Sequence, residues 1–220
     1  MHNPIKVLYE DSHLIVFNKP AGLLVIPSPQ EKQNTLVEYV NKEHVDPEGR
    51  RLFPCHRIDR DTSGVILFAW GKKNQQQMML EFQNLRVEKT YIAFVQGHLT
   101  KPAGEIRKPI FDFHQKRFAR HAAPKPAVTG YRVLEEKEEF SVIEAKPLTG
   151  RTNQIRIHFK EIGHPLVGER LYAFGKDFKL KFRRTALHAQ DLGFWHPFLK
   201  RKIEVSAPLA DDMARFLDNH

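Results

Sequence analysis

The chain has 220 residues, 41% apolar and 28% charged, which suits one domain with a real hydrophobic core and excludes a disordered polyelectrolyte. Its net charge of +9 favours a polyanionic partner, nucleic acid ahead of an anionic membrane surface. A single cysteine, Cys55, excludes an internal disulfide and a thiolate metal cluster, and the longest apolar run, Val65 to Trp70, is too short to span a bilayer. With no signal pattern over Met1 to Val7, the expectation is a soluble, cytoplasmic protein with no membrane contact.

In chain order, Val7 to Tyr9 and Leu14 to Asn18 read as two short strands, stopped by Lys19-Pro20-Ala21-Gly22. Thr35 with Glu38 has capping-box spacing and predicts a helix over residues 35–43. Val65 to Ala69 is apolar on both faces and reads as a buried central strand between Gly64 and Gly71. Met78, Phe82 and Leu85 fall at helical spacing and predict a helix over 73–85, with the methionines as core. Tyr91 to Gln96 reads as a strand, and residues 106–120 as hairpin-like. Tyr131 to Leu134 and Phe140 to Ala145 read as a strand pair. Ile155, Phe159 and Ile162, with Gly163 behind them, predict a helix over 152–162. Strands and helices interleave without a βαβ rhythm, so the expectation is an α+β fold with a mixed sheet, one domain over residues 1–220.

Two polar clusters could carry chemistry. The first, His56-Arg57-Ile58-Asp59-Arg60-Asp61-Thr62-Ser63-Gly64, precedes the buried strand. A glycosidase-like pair of Asp59 with Asp61 is disfavoured, because residues two apart on extended chain point to opposite faces. A metal site on His56 and Asp59 lacks a second histidine at ligand spacing. A lone nucleophilic aspartate among arginines, which would keep it ionised and aimed, remains beside the commonest fate of such clusters, a salt-bridged surface loop. The second cluster runs from Thr149 to His158, with Gly150 for a tight turn and Arg151 for a phosphate.

Together the clusters resemble the HRLDxxTSG and TGRTHQIRVH motifs of the RluA-type pseudouridine synthases. Tyr9-Glu10-Asp11 through Gly22 is similar to that family's opening strand pair, and Lys89-Thr90-Tyr91 to its KxY motif. Gly163-His164-Pro165-Leu166-Val167-Gly168 resembles its GHPLVGD segment, as Leu187-His188-Ala189 and His196-Pro197 resemble its last two motifs. The match covers roughly residues 7 to 210 in the family's order. Ile58, Asn153 and Glu169 depart from the usual Leu, His and Asp, and the expectation is a catalytic domain without a preceding S4-type RNA-binding domain.

The resemblance implies the pseudouridine synthase catalytic fold, a mixed, mostly antiparallel sheet with flanking helices and a central RNA-binding cleft. It implies isomerisation of uridine to pseudouridine in structured RNA, stem-loops of tRNA or rRNA or both, with no metal and no cofactor. Asp59 maps to the nucleophile, Tyr91 to the residue that stacks on the target uracil, and Arg156 to the cation that holds Asp59. Arg57, Arg60, Lys89 and Arg151 are candidate RNA contacts. Residues 107–125 place Arg107, Lys116, Arg117 and Arg120 between Phe111, Phe113 and Phe118, the mixture of a backbone-tracking, base-stacking arm. A second basic patch, Lys176 to Arg184, reads as a phosphate-contacting helix or a solvated face. A monomer is expected. The rival class is a non-catalytic RNA-binding protein on the same fold.

Overall fold

A computed structural model describes residues 4–29, 31–111, 123–173 and 180–220. Its contacts divide the chain into two compact units, Met1–Lys89 with His188–Asp211, and Thr90–Leu187 with Asp212–His220.

In the first unit β1 (Val7–Glu10) pairs antiparallel with β2 (Leu14–Lys19), and β2 with β4 (Ser63–Trp70). The short β3 (Leu52–Pro54) also pairs with β4. All eight residues of β4 are buried, as its two-sided apolar pattern predicted. One face packs Val65, Leu67 and Ala69 with Leu14 and Val16 of β2 and with Met78 of α2 (Gly71–Gln83). On the other, Phe17 meets Phe68 edge to face at 5.5 Å and the ring of His44 at 5.2 Å, just past α1 (Leu36–Glu43). Helix α1 starts as expected, the Thr35 N–H donating to Glu38 at 3.0 Å. Helix α2 ends before Leu85, which has φ 56° and is 62% exposed, so that residue leaves the apolar stripe to which its spacing assigned it.

The sequence reading placed no strands after residue 163. The structure has β9 (Leu187–His196), whose residues from His188 on belong to this unit, paired antiparallel with β10 (Arg201–Ser206). Asp191 and Gly193 interrupt the alternation of β9, and its partner supplies the order that the pattern lacks. β4 and β9 run parallel through Ser63 to His188 and Gly64 to Ala189.

The second unit is an antiparallel sheet in the order β5 (Val87–Gln96, which the chain enters from the first unit), β8 (Phe140–Pro147), β7 (Val128–Glu136), β6 (Ala103–Arg107). The expected strand pair is β7 with β8, β7 being longer at both ends and β8 starting at Phe140 as expected and running on to Pro147. Helix α3 (Gln154–Glu161) presses Ile155 and Phe159 onto Ala93, Val95, Ile143 and Ala145. Gly163, with φ 88°, closes it, and the His164 N–H reaches back to the Phe159 carbonyl at 2.9 Å. The last helix, α4 (Asp211–Asp218), buries Met213 and Phe216. Of the hairpin-like stretch, β6 and an isolated bridge between Ile110 and Lys125 are described, while residues 112–122 lie outside the described residues. Among the pairings described within each unit, only that of β4 with β9 is parallel, and the fold is α+β with a mixed strand arrangement.

Gly64 sits where β4 crosses closest to β9. Its φ is 107°, and a Cβ would lie 2.1 Å from the Ala189 carbonyl oxygen. Gly64→Ala is therefore expected to destabilise the chain by at least about 2 kcal/mol, read as a lowered urea midpoint.

Candidate active site

Asp59 stands in the first unit, on a turn just before β4. The Thr62 N–H donates to the Asp59 carbonyl at 3.2 Å, closing a turn in which Asp59 is half-buried and Arg60 and Asp61 are exposed. Ile58 and Thr62, on either side, are buried and pin both ends. Asp59 and Asp61 thus lie on one turn with different exposure, one semi-enclosed and one out in solvent.

The turn is held from beneath by a buried cation. The Lys19 ammonium, 0% exposed, donates to the carbonyls of Pro20 at 2.9 Å, Leu23 at 2.8 Å and Arg60 at 2.9 Å. The Gly22 N–H donates to the same Arg60 carbonyl at 2.9 Å. The Lys-Pro-Ala-Gly break thus serves as the cradle of the Asp59 turn. A charge in this setting is tolerable only because its donors are satisfied.

His56 steadies the approach to the turn. Its Nε2 accepts the Leu67 N–H at 3.0 Å, which puts the ring proton on Nδ1, and the ring stacks on Phe82 at 4.7 Å. Burial, with the charge of Lys89 beside it, pushes its pKa down to about 3. Burial also lowers the pKa of Lys89. This neutral, hydrogen-bonded imidazole is an anchor rather than a metal ligand, and no group of metal-binding side chains occurs among the described residues.

Tyr91 and Arg156 belong to the second unit. Tyr91, half-buried on β5 opposite Ala145, packs on the core that Ile155 and Phe159 of α3 complete. Arg156 is clamped. Its Nε and one terminal nitrogen donate to the two carboxylate oxygens of Glu169 at 2.6 and 2.7 Å, and the other terminal nitrogen to Asn153 Oδ1 at 2.8 Å. The guanidinium also lies over the Tyr172 ring at 5.2 Å, and Asn153 Nδ2 donates to the Tyr172 hydroxyl at 2.8 Å. Glu169 is 1% exposed. Burial alone would raise its pKa, but the bonds and charge of Arg156, with the amides of Leu171 and Tyr172, bring it below the ordinary carboxylate range. Asn153 and Glu169 are two of the departures seen in the sequence, and both close on the same arginine.

The candidate RNA contacts divide similarly. Arg57 is exposed; Arg60, also exposed, is paired with Glu31. Lys89 is half-buried and Arg107 pairs with Glu105. Arg151 is exposed, with its Nε on the Pro126 carbonyl at 3.2 Å. Lys116, Arg117 and Arg120, with Phe113 and Phe118, lie outside the described residues, as does the first part of the 176–184 patch. Arg184 at its end is not a phosphate contact. It is 7% exposed, forks onto Asp212 at 2.6 and 2.8 Å, and donates to the Thr185 and Leu187 carbonyls.

Sequence reading missed three pairings that join motif to motif. Ser63 Oγ lies 2.9 Å from His188 Nδ1. Asp11 takes His196 Nε2 at 2.9 Å and the Tyr9 hydroxyl, while His196 Nδ1 accepts the Phe198 and Leu199 amides. The third is Arg156 with Glu169. Each joins residues of two motifs that a linear scan meets separately; complementary donor and acceptor types were the available signal.

Two outcomes follow. An unfolded imidazole titrates near pH 6.5, so below that pH the unfolded chain binds a proton that folded His56 refuses. Stability should fall as the pH drops from about 6.5 towards 3, by up to about 1.4 kcal/mol per pH unit for this group. The fall in urea midpoint between pH 7 and 5 should be shallower in His56→Gln. For the clamp, Glu169→Ala should cost about 3 kcal/mol of unfolding free energy by urea titration, because it strips a largely enclosed guanidinium of its bidentate carboxylate.

Residues 13–161 match the family model described as RNA pseudouridylate synthase. An uncharacterised RNA pseudouridine synthase of Bacillus subtilis is 36% identical over 98% of this chain and 72% of its own length. A tRNA pseudouridine synthase C of Haemophilus ducreyi is 36% identical over 98% of this chain and 95% of its own. The ribosomal large subunit pseudouridine synthase D of Nitrosomonas europaea is 36% identical over 97% of this chain, which spans 64% of that protein. In fold, the chain is similar to human RNA pseudouridylate synthase domain containing 4, with a TM-score of 0.79 at 24% identity, covering 96% of this chain and 91% of the other. With two thirds of its length matched by the family model and nearly all of it aligned with relatives 36% identical, the chain belongs to the RNA pseudouridylate synthases of the RluA type, isomerases that act on RNA.

Proposed function

We propose that the chain converts a uridine to pseudouridine in a structured tRNA or ribosomal RNA, with Asp59 as its nucleophile. The observation that carries this reading is the Asp59 turn, a half-buried carboxylate on a main-chain loop braced from below by a fully buried lysine. A surface salt-bridge loop has no need of so costly a foundation, whereas a carboxylate that must meet a sugar or base at fixed geometry does. The bond between ribose C1′ and uracil N1 breaks, and one between C1′ and C5 forms. The C5 proton is lost to water and N1, which bore the ribose and no hydrogen, gains a proton, so the product is an isomer and no oxidant or hydrolytic water is consumed. Tyr91, carried over from the family resemblance, stacks on the turned base. The target uridine leaves its stack, which a loop or bulge permits most cheaply.

The choice of RNA rests on relatives named for tRNA and for the ribosomal large subunit. The test is tritium release from tRNA and ribosomal RNA labelled at C5 of uridine, drawn from cells that lack the enzyme. Release by the native chain should fall at least about 10³-fold in Asp59→Asn, since loss of a nucleophile removes the covalent route. Binding without release from either RNA would replace this reading with that of a non-catalytic RNA-binding protein.

A further inference from the structure

In the second unit a cleft of about 100 Å³ is lined by Ile110, Lys125, Gly150, Arg151 and Thr152. Two of its five residues are cations. Other cations of this unit are matched by acids: Arg107 by Glu105, Lys108 and Lys160 by Glu161, Arg132 and Lys146 by Glu144. Lys125 and Arg151 have no carboxylate partner among the described residues. Two like charges at one cleft repel each other unless an anion comes between them.

The cleft is also built. Beneath it Gln154, 4% exposed, uses its whole amide. Its oxygen accepts the Thr149 hydroxyl at 2.7 Å and the Arg151 N–H at 3.0 Å, and its nitrogen donates to the Val128 carbonyl at 2.9 Å and Thr129 Oγ1 at 3.0 Å. The chain of bonds continues through His158, 0% exposed. Its Nε2 lies 3.0 Å from the Lys108 carbonyl, which can only accept, so the ring proton is on Nε2. Nδ1, 2.9 Å from Thr129 Oγ1, then accepts the hydroxyl proton. One buried line of hydrogen bonds thus fixes the Thr149–Thr152 loop on one wall and the backbone near Ile110 on the other, and the Ile110 to Lys125 bridge closes it, each N–H on the other's carbonyl at 2.9 Å. On the loop, Arg151 is exposed and the bond from its Nε to the Pro126 carbonyl orients the guanidinium without using its two terminal nitrogens. A rigid floor under a forked cation and an ammonium suits a tetrahedral anion with several oxygens.

We infer that this cleft binds a backbone phosphodiester of the RNA substrate, gripped by Arg151 and Lys125. The inference rests on the reading of the chain as an RNA-modifying enzyme and gives it a phosphate-specific contact. Ile110 and Lys125 flank the basic segment 112–122 in sequence, so a phosphate held here registers the RNA at the root of that segment. The contact carries no sequence information. It acts on affinity and register rather than on the bond-making step.

The experiment measures kcat and KM for C5 tritium release from labelled bulk tRNA and ribosomal RNA over a range of potassium chloride. It compares the native chain, Lys125→Gln, Arg151→Gln and a control, Lys146→Gln, that removes a cation already paired with Glu144. Each cleft variant should raise KM about tenfold at fixed salt, leave kcat within about twofold, and lower the log–log salt slope of kcat/KM by about one. The control should move none of these. Methylphosphonate linkages placed singly in the modified stem-loop should identify one position whose neutralisation weakens the native chain and leaves Arg151→Gln unaffected. Cleft variants that keep the native KM and salt slope, in a native chain that turns over, would overturn the site alone. A native chain inert on both RNAs would instead remove the reading on which it rests. Circular dichroism with urea midpoints near the native value in each variant separates lost contact from lost fold.

Discussion

The Lys19 ammonium is shut off from solvent and held by the main-chain carbonyls of Pro20, Leu23 and Arg60. Taking such a charge out of water costs several kcal/mol, so the three carbonyls must stay where they are for the fold to persist. That requirement couples two stretches about forty residues apart. The loop after β2 cannot shift without dragging the Arg60 carbonyl, and the Arg60 carbonyl cannot shift without turning Asp59. The second bond to that carbonyl, from the Gly22 amide, makes the constraint directional. The candidate carboxylate of Asp59 is thereby carried on irregular backbone that is tied down at the Arg60 carbonyl.

The second unit solves a related problem differently. Its key cation, Arg156, projects from a helix of only eight residues and is held by the side chains of Glu169 and Asn153. Glu169 supplies a bidentate carboxylate that is itself tied to the amides of Leu171 and Tyr172, so the chain after α3 wraps around the guanidinium. Asn153 accepts from the same cation while its left-handed backbone, φ 55°, turns the chain into the helix. An acid longer than the usual Asp and an amide in place of the usual His both end on this one group, so each is read best as part of the same clamp.

Much of this was written locally. The buried strand β4 follows from an unbroken apolar run, α1 from its Thr35 and Glu38 pair, and the end of α3 from Gly163, each set by residues within a turn or two of one another. The order of motifs along the chain was enough to name the family and to nominate Asp59, Tyr91 and Arg156. Leu85 shows where periodicity misleads: it keeps the helical spacing, but the chain turns left-handed and leaves it in solvent. The hairpin of β9 and β10 shows where periodicity is silent, because Asp191 and Gly193 erase the alternation and only the antiparallel partner restores it.

By itself, then, the sequence determined the α+β class, the family and the identity of the candidate nucleophile, because apolar period, turn residues and motif order are properties of neighbours in the chain. Tertiary structure decided the jobs of the remaining motif residues. Lys19 braces a turn, His188 meets Ser63, His196 meets Asp11, Glu169 clamps Arg156, and Arg184 is buried on Asp212 instead of reaching for a phosphate. Each of these is a donor finding an acceptor from 13 to 185 residues away, or an ion finding its counter-ion across a turn of the fold. A charge or an imidazole looks the same in sequence whether it faces RNA or the protein's own backbone, and the burial that distinguishes the two exists only after the chain has folded.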